Sequence, residues 1–183
     1  MGHGHGVDGA RRPRSGRPLR PLQHGTDVTV ARLFNVYGPH ERPDALVPRL
    51  CKSALEGRPL PLEGDALQRR DLTYIADLTP RLARLAILPA LPTVNLGSGV
   101  THSVAEVAEI VRRLHARTTF EPLSERRNEI REFRADVTLE RSMLGPVDRP
   151  VSLAQGVEAT YAWWKAHLMT DTFTEELNKE FAR

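Results

Sequence analysis

The stretch RLFNVYGPHERPD, Arg32 to Asp44, joins an apolar run to a polar ending and a glycine–proline turn. The run that leads into it, Val28–Phe34, is rich in β-branched and apolar residues, which predicts a buried strand. The apolar pattern stops at Asn35, and Tyr37 and Gly38 follow closely. In an open α/β sheet, ligands lie beyond the carboxyl ends of the strands. The stretch therefore predicts a strand that ends at a ligand site.

The rest of the chain alternates between short strand patterns and amphipathic helix patterns, which is typical of an α/β fold. We expect one helix to be capped by Asp44 and ended by Gly57, and a second to start at Asp77. Two further helices are expected to open with capping boxes, Ser103–Glu106 and Ser152–Gln155. Short strands are predicted in RPLPL, RDLTYI and TVNLGSG, at residues 58–62, 70–75 and 93–99.

The composition divides the 183 residues into a leader, a body and a tail. Residues 1–25 are rich in Gly, Pro and Arg and are expected to be a disordered leader, because they can bury little apolar surface. Residues 26–168 form the predicted α/β body, and residues 169–183 a predicted amphipathic helix. The leader holds five of the 26 basic and one of the 23 acidic residues, which leaves 21 and 22 elsewhere. The pI of 9.4 therefore reflects the leader, and nucleic acid is disfavoured as a partner.

The same composition excludes several other classes of protein. No apolar run approaches the roughly 20 residues that cross a bilayer, so no membrane partner is expected. The N-terminus lacks the apolar segment of a secretory signal, and a single cysteine cannot form an internal disulfide, so a cytoplasmic location is predicted. Cys51 is expected to be a small half-buried side chain. His3 and His5 have no third ligand near them, and no metal site is predicted.

Four polar clusters adjoin the predicted strands and are candidates for ligand binding. They lie at residues 35–38, 69–71, 95–99 and 126–131. Arginine offers a planar fork of donors to phosphate oxygens, and asparagine offers both a donor and an acceptor to a sugar. The same residue types are also common in ordinary turns and on solvated surfaces. The residue types alone leave both interpretations open.

Five segments of the chain resemble segments of one protein family, in that family's order. They are ARLFNVYGPHERPDALVPRL, EGRPLPLEGDALQRRDLTYIADL, VNLGSGVTHSVAEV, ERRNEIREFRAD and VSLAQGVEATYAWW. From about residue 24 to residue 168 the chain resembles the C-terminal half of the extended short-chain dehydrogenase/reductases, and among these the NAD-dependent nucleotide-sugar epimerases and dehydratases. The resemblance implies the last strands of a Rossmann sheet joined to a small α/β substrate-binding domain.

The resemblance also implies a ligand, a UDP- or dTDP-linked sugar, and contacts to it. Asn35 would bind the phosphate or sugar side, and the backbone around Leu46 and Val47 would meet the base. Arg70 and Arg126 would contact the diphosphate from two sides, and Asn95 the ribose region. Glu63 stands where the family usually has an aromatic residue beside the base, which puts base stacking there in question.

The family also has features that this sequence lacks. Its N-terminal half carries a glycine-rich NAD loop and a Tyr-x-x-x-Lys pair, whose tyrosine acts as acid and base on a sugar hydroxyl while NAD takes the hydride. Neither motif occurs here, so no catalytic and no cofactor-binding residue is predicted. NAD is expected for the complete family enzyme and not for this chain alone.

Two hypotheses about function follow, and the sequence does not decide whether the chain is an enzyme. In the first, the chain is the substrate-binding half of a nucleotide-sugar epimerase or dehydratase, which would need a separate NAD-binding chain for catalysis. In the second, it is a truncated or frame-disrupted remnant without activity, or a weak nucleotide-sugar-binding module. A homo-oligomer is a further possible arrangement. The sequence does not choose among epimerisation, dehydration and decarboxylation.

Overall fold

The structure is a computed structural model, and it describes residues 28–89, 93–125 and 127–168. The predicted leader and the predicted C-terminal helix, residues 1–25 and 169–183, lie outside the described residues. The described strands are β1 (Ala31–Leu33), β2 (Val36–Tyr37), β3 (Leu60–Glu63), β4 (Arg69–Asp71), β5 (Thr73–Tyr74), β6 (Val94–Leu96), β7 (Thr101–Ser103), β8 (Phe120–Leu123) and β9 (Glu132–Phe133). The described helices are α1 (Leu46–Leu55), α2 (Ile75–Ala86), α3 (Val104–Leu114), α4 (Thr138–Leu144) and α5 (Leu153–Leu168).

The strands pair in small groups. β1 runs parallel to β6, β2 to β5, and β3 to β8. β4 is the central strand of a three-stranded sheet, antiparallel to β7 on one side and parallel to β9 on the other. Parallel pairing between strands that are separated by helices confirms the predicted α/β class.

Two apolar clusters hold these elements together. In the larger one, α1, α3 and α5 pack on each other through fully buried side chains, among them Leu50, Val107, Val157 and Trp164. In the smaller one, α2 packs on β6 through Leu78, Leu85, Val94 and Leu96. Cys51 belongs to the larger cluster and is fully buried, not half-buried as expected from the sequence. Burial raises the pKa of its thiol to about 12, so the thiol is inert at neutral pH.

Local sequence signals place two of the helices where they were predicted. The Ser103 hydroxyl accepts from the Glu106 backbone at 3.1 Å, and the Glu106 carboxylate accepts from the Ser103 backbone at 2.7 Å. Ser152 and Gln155 make the same reciprocal pair at 3.1 and 3.3 Å. Both predicted capping boxes are therefore present. Gly57, at φ +70°, also follows α1 as predicted, in the left-handed conformation that glycine adopts without steric cost.

Three sequence expectations were wrong in detail. Ala45, not Asp44, is the N-cap of α1, and no side chain caps the helix, because the Asp44 carboxylate lies 3.5 Å from Arg42. The second helix begins at Ile75 rather than at Asp77, whose carboxylate accepts from the Val151 backbone at 3.0 Å.

The third difference concerns β1, which was expected to be a buried strand. Leu33 is 48% exposed, because the described residues leave the face of β1 that carries its side chain largely uncovered, and β6 is the described strand that pairs with β1. Hydrogen bonds from Phe34 to Leu96 and from Val94 to Val30 extend the pairing one residue beyond each end of β1.

None of the helices that the structure describes is both long enough and apolar enough to cross a bilayer.

Candidate ligand-binding site

A polar cavity of about 390 Å³ lies between the turn after β2, the first turn of α1 and strands β3 and β4. It brings together four of the six site residues predicted from the sequence, namely Asn35, Leu46, Val47 and Arg70. Charged side chains contribute much of the remaining lining: Glu41, Arg42, Asp44, Arg49, Glu63 and Glu129.

Arg70 is held in the wall of this cavity by groups far away in sequence. Its guanidinium pairs with the Glu129 carboxylate, and its Nη1 donates to the Ile130 carbonyl at 2.7 Å. The side chain is 20% exposed, so it is both fixed and accessible from the cavity. A guanidinium that is held in this way can meet a phosphate group without losing much conformational freedom.

The first turn of α1 supplies backbone donors to the same cavity. Leu46 and Val47 are the first two residues of the helix, whose opening N–H groups have no acceptor within the helix. Since no side chain caps α1, these groups can bind a ligand instead. Asn35 lies beside them at a φ of +30°, a conformation that asparagine tolerates better than most residues, and its carbonyl accepts from Thr73.

Glu63 does not face the cavity as an unpaired anion. Its carboxylate lies 3.1 Å from Nη1 of Arg49, and the Arg49 side chain is 29% exposed. The pair neutralises the charge that the sequence places beside the expected base. Neither Arg49 nor Glu41 was predicted to lie at the site, and no local pattern marks either of them.

Of the remaining two predicted site residues, Asn95 is described and does not line the cavity. Asn95, in β6, donates from Nδ2 to the Asp136 carbonyl at 3.1 Å. Arg126 lies outside the described residues, so its predicted contact with a diphosphate stays a prediction.

A second, mainly apolar cavity of about 570 Å³ lies between α2, α4 and the segment before α5. None of the five predicted site residues that the structure describes lines it. Its buried charges, Arg81 and Glu140, pair with each other, and Arg81 also donates to the Gly145 carbonyl at 2.8 Å. We therefore place the candidate site in the polar cavity.

The glycine turn after β6 does not offer a dinucleotide cradle. Asp71 is fully buried, and its carboxylate accepts from the backbone N–H groups of Ser98 and Gly99, each at 2.9 Å. A Cβ at Gly97 would lie 2.5 Å from the Ala135 side chain, so glycine is needed there for close packing. Backbone donors that already serve a carboxylate cannot also bind a pyrophosphate, so this segment does not fit NAD.

The fold is α/β, with parallel strand pairs flanked by helices and with an arginine, an asparagine and opening helix amides around one cavity. The solved structures that resemble it are extended short-chain dehydrogenase/reductase enzymes. Residues 21–89 match the family described as the NAD dependent epimerase/dehydratase family. The chain is similar to the C-terminal part of proteins of this family. The family and the fold class expected from the sequence are thereby confirmed.

Among curated relatives, the chain is 32% identical over 151 residues to UDP-glucuronate 4-epimerase of Thermodesulfobacterium geofontis, covering 79% of this chain and 45% of the relative. It is 30% identical over 149 residues to dTDP-glucose 4,6-dehydratase of Streptomyces griseus, covering 80% and 45%. Among solved structures, it is similar to TunA, an NAD-dependent NDP-hexosamine 5,6-dehydratase involved in tunicamycin biosynthesis, at 44% identity and a TM-score of 0.73. That match covers 76% of this chain and 46% of TunA. The chain thus spans about half the length of the relatives it matches.

Proposed function

We propose that this chain binds the nucleotide diphosphate part of a UDP- or dTDP-sugar in the polar cavity. The observation that carries the proposal is Arg70, which is fixed by Glu129 and by the Ile130 carbonyl at the wall of that cavity. A planar guanidinium can contact two phosphate oxygens at once, which a lysine ammonium cannot do with the same geometry. The names of the relatives, which include UDP-, dTDP- and NDP-linked sugars, support the same class of ligand.

The other groups at the cavity suit the rest of such a ligand. The backbone N–H groups of Leu46 and Val47 can donate to carbonyl oxygens of a pyrimidine base. The Asn35 amide can both donate to and accept from a sugar or phosphate group. We propose that Asn95 and Arg126 contact the ribose region and the far side of the diphosphate, as the family resemblance implies.

We propose that this chain alone does not bind NAD, and we assign no catalytic step to its residues. When NAD is bound in the complete family enzyme, it supplies hydride transfer. We propose that catalysis requires an NAD-binding part joined to this chain or supplied by a second one. The chain alone is then a nucleotide-sugar-binding unit.

Calorimetric titration of the purified chain with UDP-glucose, dTDP-glucose and NAD tests this proposal. We expect at least one nucleotide-sugar to bind and NAD not to bind. Arg70→Ala removes a charge-assisted contact worth roughly 1.5–3 kcal/mol, so affinity should fall at least about tenfold. The matched control is Arg58→Ala, because Arg58 is exposed, pairs with Glu56 and lies outside the cavity. Its affinity should stay within about twofold of the unchanged chain.

Three results would contradict the proposal. If neither nucleotide-sugar binds, the proposed class of ligand is wrong. If the two arginine variants bind with equal affinity, the assigned binding site is wrong. Stoichiometric NAD binding by the chain alone would show that its residues form a cofactor site after all.

A further inference from the structure

Glu41 is a partly buried acid at the polar cavity, and its carboxylate forms no ion pair with a described residue. It lies in the turn between β2 and α1 and lines the cavity. The Gly38 backbone favours the charged form of its carboxyl group, but Oε2 is fully shielded from solvent and no described residue donates to it. A carboxylate oxygen that is buried without a donor costs more free energy than almost any other polar group.

The other acids that line the cavity are each close to an arginine, and Glu41 differs from them in this respect. Three arginines in its lining each lie near one carboxylate: Arg42 near Asp44, Arg49 near Glu63 and Arg70 near Glu129. Glu41 is the fourth acid among the described lining residues and is in no such pair. If all seven groups were charged, the described lining would carry one net negative charge and would repel an anionic ligand.

We propose that Glu41 is the neutral hydrogen-bond donor of this cavity, a carboxylic acid that holds its proton when a nucleotide diphosphate binds. The inference rests on the proposed function, since it names a residue that acts in the same site. As a neutral acid, Glu41 leaves the described lining without net charge. Its O–H can then donate to a phosphate oxygen, which makes a short and strong bond.

On balance, the surroundings of Glu41 favour its neutral form. Burial raises the pKa of Glu41 to about 8, and the neighbouring charge of Asp44 adds to the increase, whereas Arg42 and the Gly38 backbone oppose it. Tyr37 from β2 and Cys51 from α1 are close enough for Glu41 to influence them, and burial raises the pKa of each of these groups. Both therefore remain neutral at physiological pH and do not replace Glu41 as the titrating group.

Ligand affinity should consequently depend on pH through this one group. An anion beside Glu41 favours the protonated form further, so binding takes up a proton wherever the unliganded acid has lost it. At pH 7 the acid is mostly protonated and little uptake occurs. With a pKa of about 8, affinity should fall about tenfold between pH 7 and pH 9.

The experiment is calorimetric titration with UDP-glucose at pH 7 and at pH 9, each in two buffers of different ionisation enthalpy. The difference in heat between buffers gives the number of protons taken up. We expect uptake to approach one proton per ligand at pH 9 and to be small at pH 7. This measurement needs no variant, so it does not depend on the stability of one.

Glu41→Gln supplies the comparison, because glutamine is a neutral donor of the same length that cannot titrate. Its affinity should be nearly the same at both pH values, and its proton uptake should vanish. Any titration of the ligand itself is common to both proteins and cancels. If the unchanged chain binds UDP-glucose without proton uptake, or if both proteins lose affinity equally, the assignment of Glu41 is wrong and the proposed function stands. If UDP-glucose does not bind at either pH, the proposed function is wrong and this inference falls with it.

Discussion

Arg70 and Asp71 are neighbours in β4, and they serve two different polar regions of the molecule. Arg70 lines the cavity, together with Glu41 and the other charged side chains. Asp71 is fully buried beside the glycine turn after β6, in a group that we call the Asp71 cluster: Asp71, Thr73, Ser98, Gly99 and Ala135. Successive residues of a strand point to opposite faces, so one short strand separates the two regions.

The two regions differ in how fully their polar atoms are satisfied. In the Asp71 cluster, Oδ1 accepts from Ser98 at 2.9 Å, and Oδ2 accepts from Gly99 at 2.9 Å and from Ala135 at 3.1 Å. At the cavity, one Glu41 oxygen is buried without a donor, and the opening amides of α1 lack a side-chain cap. A satisfied polar cluster stabilises the fold, whereas an unsatisfied one is available to a ligand.

The largest effect that tests this comparison is expected from Asp71→Ala. The substitution leaves the backbone N–H groups of Gly99 and Ala135 without an acceptor and removes one of the two acceptors of Ser98, which should lower the free energy of unfolding by about 3–5 kcal/mol. Urea denaturation followed by circular dichroism measures this change. Asp148→Ala, at an exposed aspartate, is the control and should change stability by less than about 0.5 kcal/mol. Similar values for the two variants would mean that the Asp71 cluster does not stabilise the fold.

At the cavity we expect Glu41→Gln to remove a loss of stability, in contrast to the loss that Asp71→Ala causes. The free energy of unfolding of the glutamine variant should depend less on pH than that of the unchanged chain. The pKa of Glu41 is raised from 4.5 to about 8 on folding, so between these values the folded chain holds a proton that the unfolded chain has released. The contribution of Glu41 to the free energy of unfolding is therefore largest below pH 4.5. It is lost as the pH rises from 4.5 through 8, by at most about 1.4 kcal/mol per pH unit. The glutamine variant lacks this loss.

Urea denaturation at pH 6, 7, 8 and 9 measures the two slopes, and Glu158→Gln, at an exposed position on α5, is the control. The control should follow the unchanged chain at every pH, since an exposed glutamate ionises equally in both states. A Glu41→Gln slope that is as steep as that of the control would show that Glu41 titrates as an ordinary exposed acid.

The comparison also explains which features could be predicted from the sequence. The capping boxes at Ser103 and Ser152 were predictable because both partners lie three residues apart. The polar cluster at residues 95–99 was expected at a ligand site, but its glycine turn binds Asp71, which precedes Gly99 by 28 residues. A side chain that distant leaves no local signal, so a ligand-binding turn and a structural turn look alike in the sequence.

The residues of the cavity could likewise be predicted only in part from the sequence. Asn35, Leu46, Val47 and Arg70 could be selected because they match family segments, and the structure brings these four together. The ion pair of Arg70 with Glu129 spans 59 residues, so its geometry depends on the tertiary fold. The unsatisfied oxygen of Glu41 depends on how the surrounding elements pack, which a single sequence does not contain.

The smallest effect tests whether side chains add to the backbone donors of the Asp71 cluster. The Thr73 hydroxyl donates to Asp71 at 3.2 Å and accepts from the Ser98 backbone at 3.0 Å, and the residue is buried. Thr73→Val keeps the shape of the side chain and should cost about 1 kcal/mol, because Asp71 still accepts from Ser98 and only part of the network is lost. Urea denaturation measures the cost against Thr79→Val, an exposed helix position where we expect a change below about 0.5 kcal/mol. If the two valine variants have the same stability, Asp71 and the backbone amides account for the whole cluster, and the contrast with the cavity rests on a single carboxylate.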